Sequence, residues 1–211
     1  MIEQSKYYTL KAKFDQTLLK THVDGIQELL MWLDTTDFYT APASTKYHGS
    51  HDYGLVEHSL NVYKALNFII PPPFDDNGYD DTDIAIVSLL HDICKANCYK
   101  KDCRNYKERD FENDEYENWQ IKTDSIGRFV WKEKQIYTFE DSFPFGHGEK
   151  SVYLANKFIS LNSHQAMAIR YHMGAFKQDD VQNISTVFSK YPLALYLHMA
   201  DMIATYRYDE E

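Results

Sequence analysis

Apolar residues recur at helical spacing over most of this chain. In "FDQTLLKTHVDGIQELLMWLD" they fall on both sides of Gly25, which predicts two helices broken at the glycine. "GLVEHSLNVYKALNFII" carries a stripe through Leu55, His58, Val62, Leu66 and Ile69. After the loop "PPPFDDNG", Asp81 or Thr82 is placed to cap a helix with Ile84, Val87, His91 and Cys94 on one face. Helical spacing returns in "EKSVYLANKFISL", in "SHQAMAIRYHMG" with Gly174 as its stop, and in "YPLALYLHMADMIATY" with Pro192 in the first turn. One region departs from this pattern. "GRFVWKEKQIYTFE" alternates aromatic and β-branched residues around the charged "KEKQ", which predicts a β-hairpin at about residues 127–140. The expected fold is therefore all-α with a small hairpin insertion.

Composition narrows the class. With 211 residues, 44% of them hydrophobic, the chain can bury a full core as a single domain. No apolar run approaches the span of a bilayer and "MIEQSKYYTLKAKFDQ" lacks the apolar centre of a signal peptide, so no membrane is expected and a cytoplasmic protein is the default. Three cysteines, Cys94, Cys98 and Cys103, sit close together, which fits free thiols better than a disulfide framework. The C-x3-C spacing of Cys94 and Cys98, with no second pair, is a weak zinc signal. A net charge of -10 excludes a general DNA-coating protein. Local charge differs: "KANCYKKDCRNYKER" has six basic residues against two acidic ones.

The informative polar residues lie on the apolar stripes. His58 and His91 point inward with their helices, and Asp201 lies on the line of Ala194, Leu197 and Ala204. A lone inward histidine is ordinarily a hydrogen-bonded core residue. A buried carboxylate needs a cation, because leaving it unpaired costs several kcal/mol, on the order of an ion's desolvation penalty. Imidazoles and carboxylates converging from several helices are a standard way to hold a divalent metal.

Read in order, "GLVEHS", "LLHDICK", "GHG", "RYHMG" and "HMADM" resemble the H, HD, H, H, D pattern of the HD superfamily of metal-dependent phosphohydrolases. The upstream "APASTKYHGSHDYGLVEHS" is similar to the HD domain of 3′-to-5′ exoribonucleases and of small bacterial and phage HD proteins. The resemblance implies a single HD domain over 1–211, with a core at about 40–206, an N-terminal helical extension over 1–40 and an insertion at about 98–145. It also implies that His58, His91, Asp92 and Asp201 hold one metal, and that Asp92 bridges to a second held by His147 and His172. Imidazoles and carboxylates without thiolate suit Mn²⁺, Fe²⁺, Co²⁺, Ni²⁺ or Zn²⁺. Two such ions about 3.5 to 4 Å apart would generate hydroxide from water at neutral pH for attack on a phosphoester.

The resemblance implies further roles. It makes Asp92 and Lys95 the expected catalytic residues, Lys95, where the family often carries a lysine, as a fixed charge for the phosphoryl oxygens, against the plainer reading of a surface lysine at a helix C-terminus; at Cys94 the family usually has glycine. His48 matches a family position near the substrate and is a candidate to protonate a leaving oxygen or bind phosphate. His198 shares the face of Asp201 and reads as a packed, non-ligating histidine; His22, His51 and His164 carry no such signal. Lys100, Lys101, Arg104 and Lys107 are candidate phosphate contacts, with Tyr99, Tyr106 and Trp119 as candidate stacking residues, against the plainer reading of a solvated surface. Some forty residues before Ala41 leave no room for the β-barrel of the exoribonucleases, so the expected substrate is a nucleotide or short single-stranded oligonucleotide. Two alternatives remain: an HD-fold diiron oxygenase, whose ligand set is nearly the same, and a non-catalytic nucleotide-binding module.

Overall fold

The computed structural model describes residues 2–70, 78–112, 115–175 and 178–209. Its helices are α1 (Ile2–Leu19), α2 (Ile26–Asp34), α3 (Gly54–Ile69), α4 (Asp81–Leu90), α5 (His147–Ala155), α6 (Ser163–Tyr171), α7 (Gln178–Lys190) and α8 (Pro192–Ile203). A 3₁₀ turn (Ile93–Lys95) follows α4, and a π-helical turn (Ala204–Tyr208) follows α8. α3 packs on α4 and α8, and α6 packs on α5 and α8. One apolar core joins them through Phe14, Leu29, Leu33, Leu55, Leu66, Leu89, Ile169 and Leu197. Among the described residues no helix is long and apolar enough to cross a membrane.

Helix boundaries follow local chemistry. Gly25 takes a left-handed conformation and starts α2, as the break at that glycine predicts. The loop expected at "PPPFDDNG" lies, up to Asn77, outside the described residues. The cap of α4 is Asp80 and not Asp81 or Thr82: its carboxylate accepts from Asp83 N–H while the Asp83 side chain accepts from Asp80 N–H. Any of several neighbouring oxygens could cap; only Asp80 allows the reciprocal pair. Pro192 opens α8 as expected. α7 has no counterpart in the sequence reading, since "QDDVQNISTVFSK" is rich in poor helix formers and buries Val187 with Phe188 packed beside it.

Helix dominates, but the β region is larger than a hairpin. β1 (Tyr99–Glu108), β2 (Lys122–Asp124) and β3 (Gly127–Phe139) form an antiparallel sheet in the order β1-β3-β2. "KEKQ" does not turn; it lies within β3, with Lys132 opposite Tyr106 and Gln135 opposite Cys103. It offers no Gly, Asn, Asp or Pro for a tight reversal. The reversal comes earlier, at Ser125 and Ile126, where Asp124 Oδ1 accepts from the N–H groups of Ile126 and Gly127.

The sheet is fastened to the segment before α3. Tyr137 Oη donates to Asp52 at 2.6 Å, Lys101 pairs with Asp52 at 2.8 Å, and Tyr99 Oη donates to the Ala43 carbonyl at 2.9 Å. α5 approaches α6 through a glycine: a Cβ on Gly148 would lie 2.3 Å from the Arg170 carbonyl oxygen. Backbone cannot yield as a side-chain tip does. Gly148→Ala is therefore expected to destabilise the protein by about 1–3 kcal/mol, as overpacking does, measured as a lower urea midpoint at unchanged m-value.

Candidate metal centre

Six side chains that the sequence singled out converge between α3, α4, α5, α6 and α8. His58 comes from the second turn of α3 and Asp201 from α8; His147 is the first residue of α5. His91 and His172 sit at helix ends, capping the C-termini of α4 and α6. α4 stops at Leu90, so His91 and Asp92 are not consecutive helical positions diverging by about 100°. Asp92 takes φ -112°, ψ 14°, outside the helical basin, and its carboxylate stays beside the His91 ring. His58, His91, Asp92 and His172 are buried.

Each imidazole is anchored through Nδ1. His91 Nδ1–H donates to the Ser88 carbonyl at 2.8 Å and His172 Nδ1–H to the Ile169 carbonyl at 2.7 Å, since a carbonyl only accepts. His58 Nδ1 contacts Asp209 Oδ2 at 2.7 Å, and His147 Nδ1 lies 3.3 Å from Cys94 Sγ. All four therefore turn Nε2 inward, in the orientation that fixes metal-binding histidines.

Asp92 stands between two pairs of these rings. Its Oδ2 is 3.4 Å from His91 Nε2 and 3.8 Å from His58 Nε2; its Oδ1 is 2.8 Å from His147 Nε2 and 3.6 Å from His172 Nε2. Asp201 Oδ1 approaches His58 Nε2 at 3.2 Å, and the His58 and His91 Nε2 atoms are 3.3 Å apart. Two of the atoms aimed inward, Asp92 Oδ1 and His172 Nε2, are buried without an aligned hydrogen bond among the described residues. Asp92 Oδ1 still has the His147 ring at 2.8 Å, whereas His172 Nε2 is costly to bury unless something meets it, and a cation meets an imidazole lone pair and a carboxylate together. Donor atoms of His58, His91 and Asp92, of His91, His172 and Asp201, and of Asp92, Cys94 and His147 each lie within 4.8 Å of one another. The residues fit a divalent metal.

Electrostatics of the cluster follow from burial and charge. Burial opposes charge on His58, but Asp201 and Asp209 outweigh it and raise its pKa to about 9. Burial likewise opposes charge on His147, and Asp92 outweighs it, again giving about 9. Burial would raise Asp92, yet the Lys95 ammonium, His91 and His147 hold it well below the usual carboxylate range. The Asp201 carboxyl is depressed too, burial being overcome by His58. His48 moves the other way, lowered by burial and by His58 and Lys95.

The centre opens into a cavity of about 920 Å³. His48 and Lys95 line it, with Lys46, Arg170, Met173, Met202 and Tyr206. The His48 ring lies 5.1 Å from that of His58. Lys95 Nζ donates to Asp92 Oδ2 at 2.7 Å and to the Ala43 carbonyl at 2.8 Å. His198 is half-buried and also lines the cavity; its Nδ1–H donates to the His172 carbonyl at 2.6 Å and its ring stacks on Phe188. Lys100, Lys101, Arg104 and Lys107 are not among the cavity's lining; Lys100 pairs with Glu140, Lys101 with Asp52 and Lys107 with Asp124. Tyr99 is tied to Ala43, while Tyr106 and Trp119 are exposed. The cysteines are free, and Cys94 and Cys98 take different partners, His147 and Lys150.

Comparison with protein-family models, curated proteins and solved structures finds no match to this chain.

Sequence reading missed Asp209 and Asn61, which back His58, and Cys94 as the neighbour of His147. It also missed the ion pairs of Arg170 with Glu149 at 2.7 Å and Asp180 at 2.9 Å in the cavity wall. Only the spacing of Asn61 three residues after His58 could have signalled a shared face.

A pH dependence follows. Without metal, the raised imidazoles contribute stability that is full below their ordinary 6.5 and is lost as pH rises through about 9. The depressed carboxyls contribute above their ordinary 3.8 and lose it in acid. Chelated protein should melt highest between pH 3.8 and 6.5 and lower towards 9. Protons compete with metal for the same Nε2 atoms, so the melting-temperature gain on adding metal should grow over the 6.5 to 9 window. Thermal melts across pH, with and without chelator, check both slopes.

Proposed function

We propose that the protein is a metal-dependent phosphohydrolase of the HD type, acting on a phosphoester of a nucleotide or short oligonucleotide. The observation that carries this reading is the division of the two Asp92 oxygens between two pairs of inward Nε2 atoms. His58, His91, Asp92 and Asp201 would hold one ion; His147 and His172, sharing Asp92, would hold another. When bound there, divalent metal supplies Lewis acidity towards a phosphoryl oxygen and makes water acidic enough to react at neutral pH.

The chain's own residues supply position and charge. Lys95 is fixed by two acceptors, and an ammonium has three N–H donors, so one is left for a ligand in the cavity. Burial and Asp92 have opposite effects on Lys95; the carboxylate prevails and keeps it charged. Burial, His58 and Lys95 shift His48 down, which argues against the expected donation of a proton to a leaving oxygen and favours a neutral ring that accepts a hydrogen bond from substrate. Tyr47 and Tyr206, both exposed at the cavity, offer rings on which a base can stack. The cavity volume fits a single small molecule, and the sheet cations outside it favour a small nucleotide over a long strand.

The test is a metal-by-substrate matrix of Mn²⁺, Ni²⁺, Co²⁺ and Fe²⁺ against nucleotides, cyclic dinucleotides and short single strands. Hydrolysis in none of these combinations, or no bound metal by elemental analysis after reloading, would sink the proposal. Asp92→Ala should abolish activity and empty both positions, whereas His147→Ala and His172→Ala should each retain some metal. Equal loss of metal in all three would contradict the division. Lys95→Ala should lower kcat by roughly two orders of magnitude with a smaller change in KM, as for other electrostatic stabilisers; unchanged steady-state kinetics would remove it from the mechanism.

A further inference from the structure

His58 differs from the other inward histidines in what anchors it. His91 and His172, at helix ends, donate Nδ1–H to a carbonyl three residues back. Within α3 that option is closed, because the backbone carbonyls are engaged along the helix and the Leu55 carbonyl also accepts from Ser59 Oγ. The anchor comes instead from beyond α8. Asp209 Oδ2 accepts from His58 Nδ1–H at 2.7 Å, and Asp209 Oδ1 accepts from Asn61 Nδ2–H at 2.8 Å. The Asp209 side chain is 2% exposed.

The chain is shaped to deliver this carboxylate. The π-helical turn at Ala204–Tyr208 closes with Asp209 N–H donating to the Ala204 carbonyl at 2.9 Å. Lys64 Nζ sits 4.3 Å from the centre of the Tyr208 ring. His58, Asn61 and Lys64 follow one another at three-residue spacing along α3, and they grip the end of the 204–209 strap at two residues, His58 and Asn61 at Asp209 and Lys64 at Tyr208. The same segment runs on from Asp201, which approaches the opposite nitrogen of the same His58 ring.

Resting on the metal-centre reading above, we infer that Asp209 is a positioning residue for that centre, and that docking of 204–209 on α3 is coupled to metal occupancy. Asp209 holds the His58 ring with Nε2 directed inward, and the docked strap keeps Asp201 facing it. Coupling is reciprocal by thermodynamic necessity: whatever the docked strap adds to metal affinity, bound metal adds to docking.

The experiment uses the full chain with Mn²⁺ alone as probe. Mn²⁺ affinity is measured by chelator competition, and amide hydrogen exchange of residues 204–209 with and without the ion. Asp209→Ala should weaken binding by about 10- to 100-fold, the usual cost of losing a residue that orients a metal ligand. Asp209→Asn should bind more tightly than Asp209→Ala, because an amide oxygen accepts the same hydrogen bond without the charge. Mn²⁺ should slow exchange of 204–209 in the wild type and not in Asp209→Ala. Lys64→Ala, which loosens the strap away from His58, should leave affinity closer to wild type than Asp209→Ala does. Wild-type affinity in Asp209→Ala, or exchange of 204–209 indifferent to Mn²⁺, would overturn this inference and leave the metal centre standing. A wild-type chain that binds no metal under any loading condition would overturn both.

Discussion

One buried carboxylate governs the arrangement of this molecule. Asp92 is 2% exposed, has an ammonium and several imidazoles within reach, and lies where an unpaired negative charge would cost several kcal/mol after desolvation. Its needs explain why α4 ends at Leu90, releasing the backbone to aim the side chain, and why Lys95 folds back from the 3₁₀ turn to meet it. They also explain the crowding of α3, α5, α6 and α8 around one end of α4. Each brings a ring or carboxylate that would itself be unfavourable to bury alone. Together the groups compensate one another only in part, and the two atoms left without aligned partners mark where the compensation is incomplete.

What the sequence displayed and what it hid divide along physical lines. Polar residues on apolar stripes are legible because burying them is expensive, and His58 and His91 stand out against Leu55, Val62, Ile84 and Val87 for that reason. Helix ends marked by Gly25, Gly174 and Pro192 are legible because those residues restrict or free the backbone. The cap of α4 was ambiguous because acidic and hydroxyl side chains crowd its start. α7 was passed over because its poor helix formers masked a stripe at helical spacing, Val181, Ile184, Val187 and Phe188. Asp209 was hidden more deeply: an aspartate in the polar stretch "YRYDEE" reads as solvent-facing, and only the extra residue of the π turn swings it onto α3.

The insertion between α4 and α5 shows why surface charge is a poor guide. Lys100, Lys101 and Lys107 look like a basic patch in the sequence, yet each meets a carboxylate brought from elsewhere in the chain. Lys101 and Tyr137 both hold Asp52, and Tyr99 and Lys95 share the Ala43 carbonyl. The sheet thereby braces the stretch from Ala43 to Asp52, which carries His48 to the cavity.

The strand order β1-β3-β2 leaves β1 at an edge, ten residues long, its outer backbone groups unpaired within the sheet. A long exposed edge is a template on which another extended chain can add itself, the first step of sheet-to-sheet aggregation. Lys100, Lys101, Asp102, Arg104 and Lys107 crowd this edge with charge, and an incoming strand would have to bury or displace them. On that account the charges of β1 guard the sheet against its own hydrogen-bonding capacity, whatever else they contact.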